Sequence, residues 1–281
     1  MTTVSPWVCP TCDAPREDRY CPACGEQPLR PQHLTLVDFG RQLIIGLSSV
    51  DGKLLRTLRL LIAQPGALTS AYIAGRRTLF LRPLSLFLIT NGLFFAIQSM
   101  VRTNIFSPSL NSHLHRQDWS ALAQTLVARR LAAKATSLEA FAALYDPAAV
   151  LHAKSLIIMM VFMFTIILAL LFGKARRPFG MHVVFSLHLC AFQLLLFSLI
   201  LLVSQAVVQL GGRGLESAAF DIGATIAIIV ASTVYLRAAT RTVYGSRGAL
   251  ALIRTALLAL LVSISVVAYR FLVFLITLYT V

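Results

Sequence analysis

The pattern of apolar and polar positions divides this 281-residue chain into a mixed front third and a predominantly apolar remainder. A helix needs roughly 20 consecutive apolar residues to cross a bilayer core about 30 Å thick. Five runs meet or approach that length and predict spans at approximately 83–101, 150–172, 183–208, 218–236 and 251–274. Asp146 as N-cap and Pro147 at the first helical position are expected to open the second span. Between the first two spans, residues 102–149 read as an external helical loop, with apolar residues of "DWSALAQTLVARRLAAKA" at helical spacing. There, Thr136 to Glu139 fit a capping box that opens a second short helix before Tyr145.

The front third carries a different period. At 100° per residue, Leu54, Leu55, Leu58, Leu61 and Ile62 fall within an arc of about 120°. Lys53, Arg56 and Arg59 take the opposite side, with Leu60 the one apolar exception. A basic amphipathic helix beside a membrane lies in the interface with its cations at anionic headgroups. Pro65 and Gly66 end this helix, and Gly75 precedes Arg76, Arg77 and Arg82 at the edge of the first span. Lys53, Arg56, Arg59, Arg76 and Arg77 are therefore the expected membrane-surface residues, and a bilayer with anionic headgroups the expected partner. The resulting plan is a clip at 1–30, a basic amphipathic interfacial segment at 31–82 and a membrane bundle at 83–281.

Composition places the whole in a bilayer. The chain is 57% hydrophobic and only 13% charged, with a mean hydropathy of +0.77; soluble domains carry about 25% charge. The fold class expected is an all-α integral membrane protein of about five transmembrane helices with a small N-terminal zinc ribbon. The net charge of +14 then reflects topology and lipid headgroups rather than nucleic acid. With the N-terminus in the cytosol, 17 of the 25 Lys and Arg fall inside and 8 outside, in keeping with the positive-inside rule. No apolar secretory signal is evident in the first 50 residues, and an odd number of spans puts the C-terminus outside.

The clip changes the picture most. "VCPTCDAPREDRYCPACGEQ" contains two CPxC knuckles, Cys9 with Cys12 and Cys21 with Cys24, and four of the five cysteines. Cytosolic thiols stay reduced, so the knuckles read as metal ligands rather than disulfides. Two knuckles supply four thiolates, a closed tetrahedral set suited to structural Zn²⁺ at about 2.3 Å per bond; rubredoxin-like iron and a dithiol redox pair are the alternatives. So short a clip cannot bury a core, and metal binding should supply its folding energy. Around the knuckles four acids, Asp13, Glu17, Asp18 and Glu26, outnumber Arg16 and Arg19. That balance favours a cytosolic protein partner over nucleic acid.

The paired knuckles, "DGKLLRTLRLLIAQPG" and "YIAGRRTLFLRP" together resemble a bacterial membrane family known as domain of unknown function 3667. The matching positions are the four cysteines, Thr57, Pro65-Gly66, Tyr72-Ile73, Gly75-Arg76-Arg77 and Pro83. Members often read "CGQ" after the second knuckle, where this chain has Gly25-Glu26-Gln27. The resemblance implies a zinc knuckle pair on a multi-pass protein of the bacterial cytoplasmic (inner) membrane and brings no activity.

Within the spans, Asp221 with Arg237 and Arg254 with Arg270 are each 16 residues apart, about 24 Å along a helix, so each member can snorkel to an interface. Asp221 and Arg270 should share a depth near the outer face and form a candidate intramembrane polar pair. Asn91, His188, Gln193 and Gln205 can bond neighbouring helices, and His182 lies near an interface. No HExxH, GxSxG or P-loop is present, and only Asp118, Glu139, Asp146, Glu216 and Asp221 carry carboxylates beyond residue 82. These features point away from an enzyme and towards a membrane-anchored binding or regulatory module whose zinc ribbon docks a partner. A small-solute or lipid transporter with a polar path among the third to fifth spans is the alternative.

Overall fold

A computed structural model describes residues 7–16, 20, 21, 23, 24, 26, 52–173 and 178–281. The 31–51 part of the interfacial segment, Gly25 and the basic residues 174–177 lie outside them. A two-stranded antiparallel ribbon, β1 (Trp7–Val8) and β2 (Pro15–Arg16), leads into helices α1 (Lys53–Ala63), α2 (Ala67–Ile73) and α3 (Pro83–Val101). Then follow α4 (Leu110–His115), α5 (Ser120–Lys134), α6 (Leu138–Leu156), α7 (Ile158–Phe172), α8 (Phe179–Gln209), α9 (Ala218–Tyr244) and α10 (Ala249–Thr280). α3, α8, α9 and α10 are each long and apolar enough to cross a membrane, and α6 with α7 make a fifth candidate if that bent pair is one span. The chain is an all-α membrane protein of four to five candidate spans. Hydrogen bonding dictates this, because a backbone in hydrocarbon has only its own helix to bond to.

α8 is the central element, packed against α3 and α7 and the most deeply buried of the spans. α7 alone is 15 residues, about 22 Å, too short for the bilayer core; it needs the end of α6, from which it bends by 47° at Ile157. Beside the bend, Tyr269 of α10 donates its hydroxyl to the Ala153 carbonyl in the last turn of α6 at 2.6 Å, tying α10 to the bent pair.

Two expectations for this region are corrected. Pro147 lies inside α6 rather than opening a helix, and Asp146 caps another element: its Oδ1 accepts the Leu110 N–H at the start of α4, at 2.8 Å. The helix opens instead at Ser137, whose Oγ accepts the Ala140 N–H, and runs on to Leu156. A polar residue before a proline is a sound cap signal, but here the donor it satisfies comes from a distant turn.

α4, α5 and the first half of α6 form a cap with its own apolar core. Phe141, Tyr145 and Val127 close over Phe274 and Leu278 near the end of α10. Arg130 and Lys134 donate to the carbonyls of Tyr279 and Val281. At its centre His113 is buried, takes the Trp119 indole N–H on Nδ1 at 3.2 Å, and lies 4.6 Å from the Phe274 ring. Burial, with the charge of Arg270 adding to it, pushes His113 down to about 4.

At the opposite end α1 and α2 dock on the bundle as a hairpin. Gly66 makes the turn at φ +84°, and a Cβ there would stand 2.8 Å from the Ala239 carbonyl of α9. Thr69 of α2 meets His188 Nδ1 of α8 at 2.8 Å. Thr57 donates to the Lys53 carbonyl and accepts the Leu81 N–H, tying α1 to the strand of chain before α3. The amphipathic arc of α1 is consequently divided. Leu54, Leu58 and Leu61 pack on the bundle, while Leu55 and Ile62 stay 75% and 58% exposed beside Arg56 and Arg59.

Replacing Gly66 with alanine meets both a strained φ and a backbone oxygen, so it should destabilise the fold by about 2 kcal/mol or more, read as a fall in thermal midpoint in detergent; an unchanged midpoint would contradict the docked hairpin. For the cap, an unfolded His113 takes up its proton near 6.5 and the folded one near 4. The unfolded state therefore binds more protons in that window. Stability should be full above about pH 6.5 and decline as the pH falls towards about 4, and a His113→Gln variant should lack this component.

Candidate metal centre

The first knuckle is built by the β1–β2 turn. The Cys9 N–H bonds the Ala14 carbonyl at 3.0 Å and the Asp13 N–H bonds the Cys9 carbonyl at 2.8 Å, with Asp13 at φ 55°. The second turn is closed by the Cys21 N–H on the Glu26 carbonyl at 2.7 Å. The two turns interleave, with Cys9 Sγ 3.4 Å from Cys24 Sγ and Cys12 Sγ 3.5 Å from Cys21 Sγ. All four sulfurs lie within 4.8 Å of one another. These are not disulfides, whose sulfurs sit about 2.05 Å apart, and the cysteines are free. A tetrahedral ion bound at about 2.3 Å sets its sulfurs about 3.8 Å apart, within the observed range. The four cysteines named by the sequence thus come together as a site of metal-binding dimensions.

The electrostatics suit a cation. At Cys21 burial opposes ionisation, but the N–H groups of Cys24 and Ala23 directed at its sulfur outweigh it, and the thiol is lowered to about 6. At Cys24 the Glu26 N–H favours the thiolate, yet burial and the neighbouring sulfurs prevail and push it up to about 12. The Cys21 thiolate thus forms readily while Cys24 is held back beside its neighbouring sulfurs, and a divalent cation at the centre favours the thiolate form.

The clip is also fastened to the bundle, and this the sequence did not announce. Glu26 is 1% exposed. Its Oε2 accepts four hydrogen bonds: from the Thr11 hydroxyl at 3.0 Å, the Arg77 N–H at 2.9 Å, the Thr78 N–H at 3.2 Å and the Thr78 hydroxyl at 3.1 Å. Arg76 Nε donates to the Pro10 carbonyl at 2.8 Å. Gly75, at φ +90°, lets Pro10 close in: a Cβ there would stand 3.1 Å from its ring. Arg77 lies over the Tyr72 ring, 4.7 Å from its centroid. Arg76 and Arg77 thus face the clip, whereas Lys53, Arg56 and Arg59 are exposed along α1. The position that departs from "CGQ" is the one that carries the latch.

The remaining polar residues are dispersed. His182 Nδ1 meets the Tyr244 hydroxyl at 2.9 Å, and Ser232 donates to Gln193 at 3.1 Å. Arg237 donates to the Ser246 carbonyl at 3.0 Å. Asn91 Oδ1 is buried without a partner among the described residues. Asp221 and Arg270 line one cavity near the cap, from α9 and α10, with Arg270 Nη2 donating to Gln117 at 2.9 Å. A second cavity of about 430 Å³ at the clip end is bounded by Phe172, Tyr244, Arg247 and Arg254.

The family described as "Protein of unknown function (DUF3667)" matches residues 51–95. Over that segment the chain is similar to the family, and the rest of it lies outside the match. The match takes in α1, α2 and the first part of α3, with Thr57, Gly66, Thr69, Arg77 and Thr78 inside it. No curated protein and no solved structure matches the chain.

Metal analysis of the purified chain should return close to one ion per molecule, and the double variant Cys21→Ser, Cys24→Ser should lose it; full retention would remove the site. Glu26→Ala keeps the four sulfurs but strands the Arg77 and Thr78 donors at a cost of about 1–3 kcal/mol. Amide exchange at those two residues should accelerate, and unchanged exchange would mean that the latch is not formed.

Proposed function

We propose that this chain is a non-catalytic, membrane-anchored binding or regulatory module whose cytosolic clip, folded around one structural Zn²⁺, docks a partner protein. The Glu26 latch carries this reading. A tether could leave the clip swinging freely, but three hydrogen bonds from Arg77 and Thr78 to one carboxylate fix it on the loop before α3. The opposite side then turns outward, with Val8 63% and Tyr20 51% exposed. Zn²⁺ suits four soft thiolates in a closed tetrahedron, which leaves no position for water or substrate, and elemental analysis separates it from iron in the same geometry.

The charge pattern supports placing the clip end in the bacterial cytosol. Arg76, Arg77, Arg82, Arg241, Arg247 and Arg254 gather there, at the start of α3, the end of α9 and the start of α10. On that orientation α1 lies at the cytosolic leaflet. Its exposed Leu55 and Ile62 enter the headgroup boundary, and Lys53, Arg56 and Arg59 meet anionic lipid.

A photo-crosslinker placed at Val8 in cells, with a control at Leu138 in the cap, tests the module. A discrete cytosolic adduct should form from Val8 alone and fade in the Cys21→Ser, Cys24→Ser variant. Adducts that are the same from both positions, or insensitive to loss of the metal, would sink the docking role.

A further inference from the structure

Near the cap, α8, α9 and α10 enclose a half-open cavity of about 360 Å³, within the roughly 300–1,000 Å³ range of small-molecule sites. Most of its wall is apolar, with Phe197, Ile228 and Val266 among the lining residues, and its two formal charges are Asp221 and Arg270. Arg270 places Nη2 on Gln117, but its Nε is buried with no hydrogen-bond partner among the described residues. That Nε is closed off from the cavity, so what Arg270 offers an oxyanion there is the positive charge of its guanidinium at the wall. Asp221, in the first turn of α9, is exposed on the cavity's open side.

The long dimension follows α9. Asp221 and Ser232 both line the cavity and are 11 residues apart, about 16 Å along a helix. At the far end Ser232 and Gln193 bond each other, and the α9 wall between is made by Ala224, Thr225, Ile228 and Ile229. Ile229 is 45% exposed and its neighbours Ile226 and Val230 more so, which turns the open side towards lipid. The volume equals about a dozen waters at roughly 30 Å³ each, the bulk of one acyl chain rather than two.

We propose that this cavity binds a zwitterionic single-chain phospholipid, its phosphate on Arg270, its ammonium towards Asp221 and its chain along α9. Charge complementarity selects the headgroup. A purely anionic amphiphile meets Asp221 with like charge and a purely cationic one meets Arg270; a ligand carrying both signs is attracted by both, where an uncharged one is attracted by neither. This site is independent of the metal clip, which lies at the other end of the bundle.

Lysophosphatidylethanolamine titrated into the full-length, delipidated protein, read by native mass spectrometry and thermal shift, tests the assignment. One molecule per chain should bind, with a preference of about tenfold or more over lysophosphatidic acid and over an alkyltrimethylammonium of equal chain length. Asp221→Asn and Arg270→Gln should each weaken binding about tenfold. Because Arg270→Gln can also disturb the cap, Thr225→Trp, at an exposed lining position, provides a second route: it should block binding while leaving the thermal midpoint in place. Equal binding to Thr225→Trp, unsaturable uptake of several lipids, or a preference for lysophosphatidic acid would overturn the proposal.

Discussion

A carboxylate removed from water has to be given donors, and Glu26 receives four from two separate parts of the chain. Thr11 comes from between the knuckles, while Arg77 and Thr78 come from the loop before α3. The metal-binding turns hold Glu26 in place, since its own carbonyl closes the second of them through Cys21. The same residue therefore completes the clip with its backbone and fastens it with its side chain. Together with the Arg76 bond to the Pro10 carbonyl, that carboxylate gives the outward face of the clip a fixed direction.

The two ends of the bundle solve different problems. At the clip end polar groups are paired across elements: Thr57 with Leu81, Thr69 with His188, and His182 with Tyr244. At the cap end the helices are closed by apolar packing, with aromatic rings of Phe94, Phe106, Phe197 and Tyr269 at centroid distances of 5.2–6.5 Å. α9 bridges the two regimes. Its second half, from Ser232 to Val243, is buried against the bundle, whereas its first half is largely exposed. The cavity occupies the wedge where that first half stands away from α8, which is why charged rim residues and apolar walls meet there.

What was legible in the sequence was local. Apolar runs announce spans because a bilayer demands length and composition of each helix separately, and CPxC knuckles announce a metal site because their sulfurs converge within a few residues. In the sequence Glu26 is one acid among four, since nothing in its neighbours reveals that Arg77 and Thr78 will be brought to it. Asp146 carries a capping signal whose donor, Leu110, lies 36 residues away. The Tyr269 hydroxyl meets the Ala153 carbonyl across 116 residues. Local signals fix what a residue can do, and tertiary placement fixes which partner it does it with.

That distinction gives the matched segment 51–95 a physical meaning. The segment contains no metal ligand and, of the spans, only α3. It does contain the groups that join clip to bundle on the bundle's side. Arg77 and Thr78 hold Glu26, Thr57 takes the Leu81 N–H four residues short of Ser85 in α3, Gly66 lets the hairpin touch Ala239, and Thr69 reaches His188. A continuous set of contacts thus runs from the sulfurs to the middle of the most buried helix. Contiguity alone does not make a signalling route; that requires an element with two arrangements whose balance both ends shift. The loop 74–82, regular neither as helix nor as strand, is held from one side by Glu26 and from the other by Thr57. Among the described residues it is the stretch that joins the Glu26 contacts to the start of α3, so the mounting of the clip on the bundle rests on those hydrogen bonds as well as on the sulfurs.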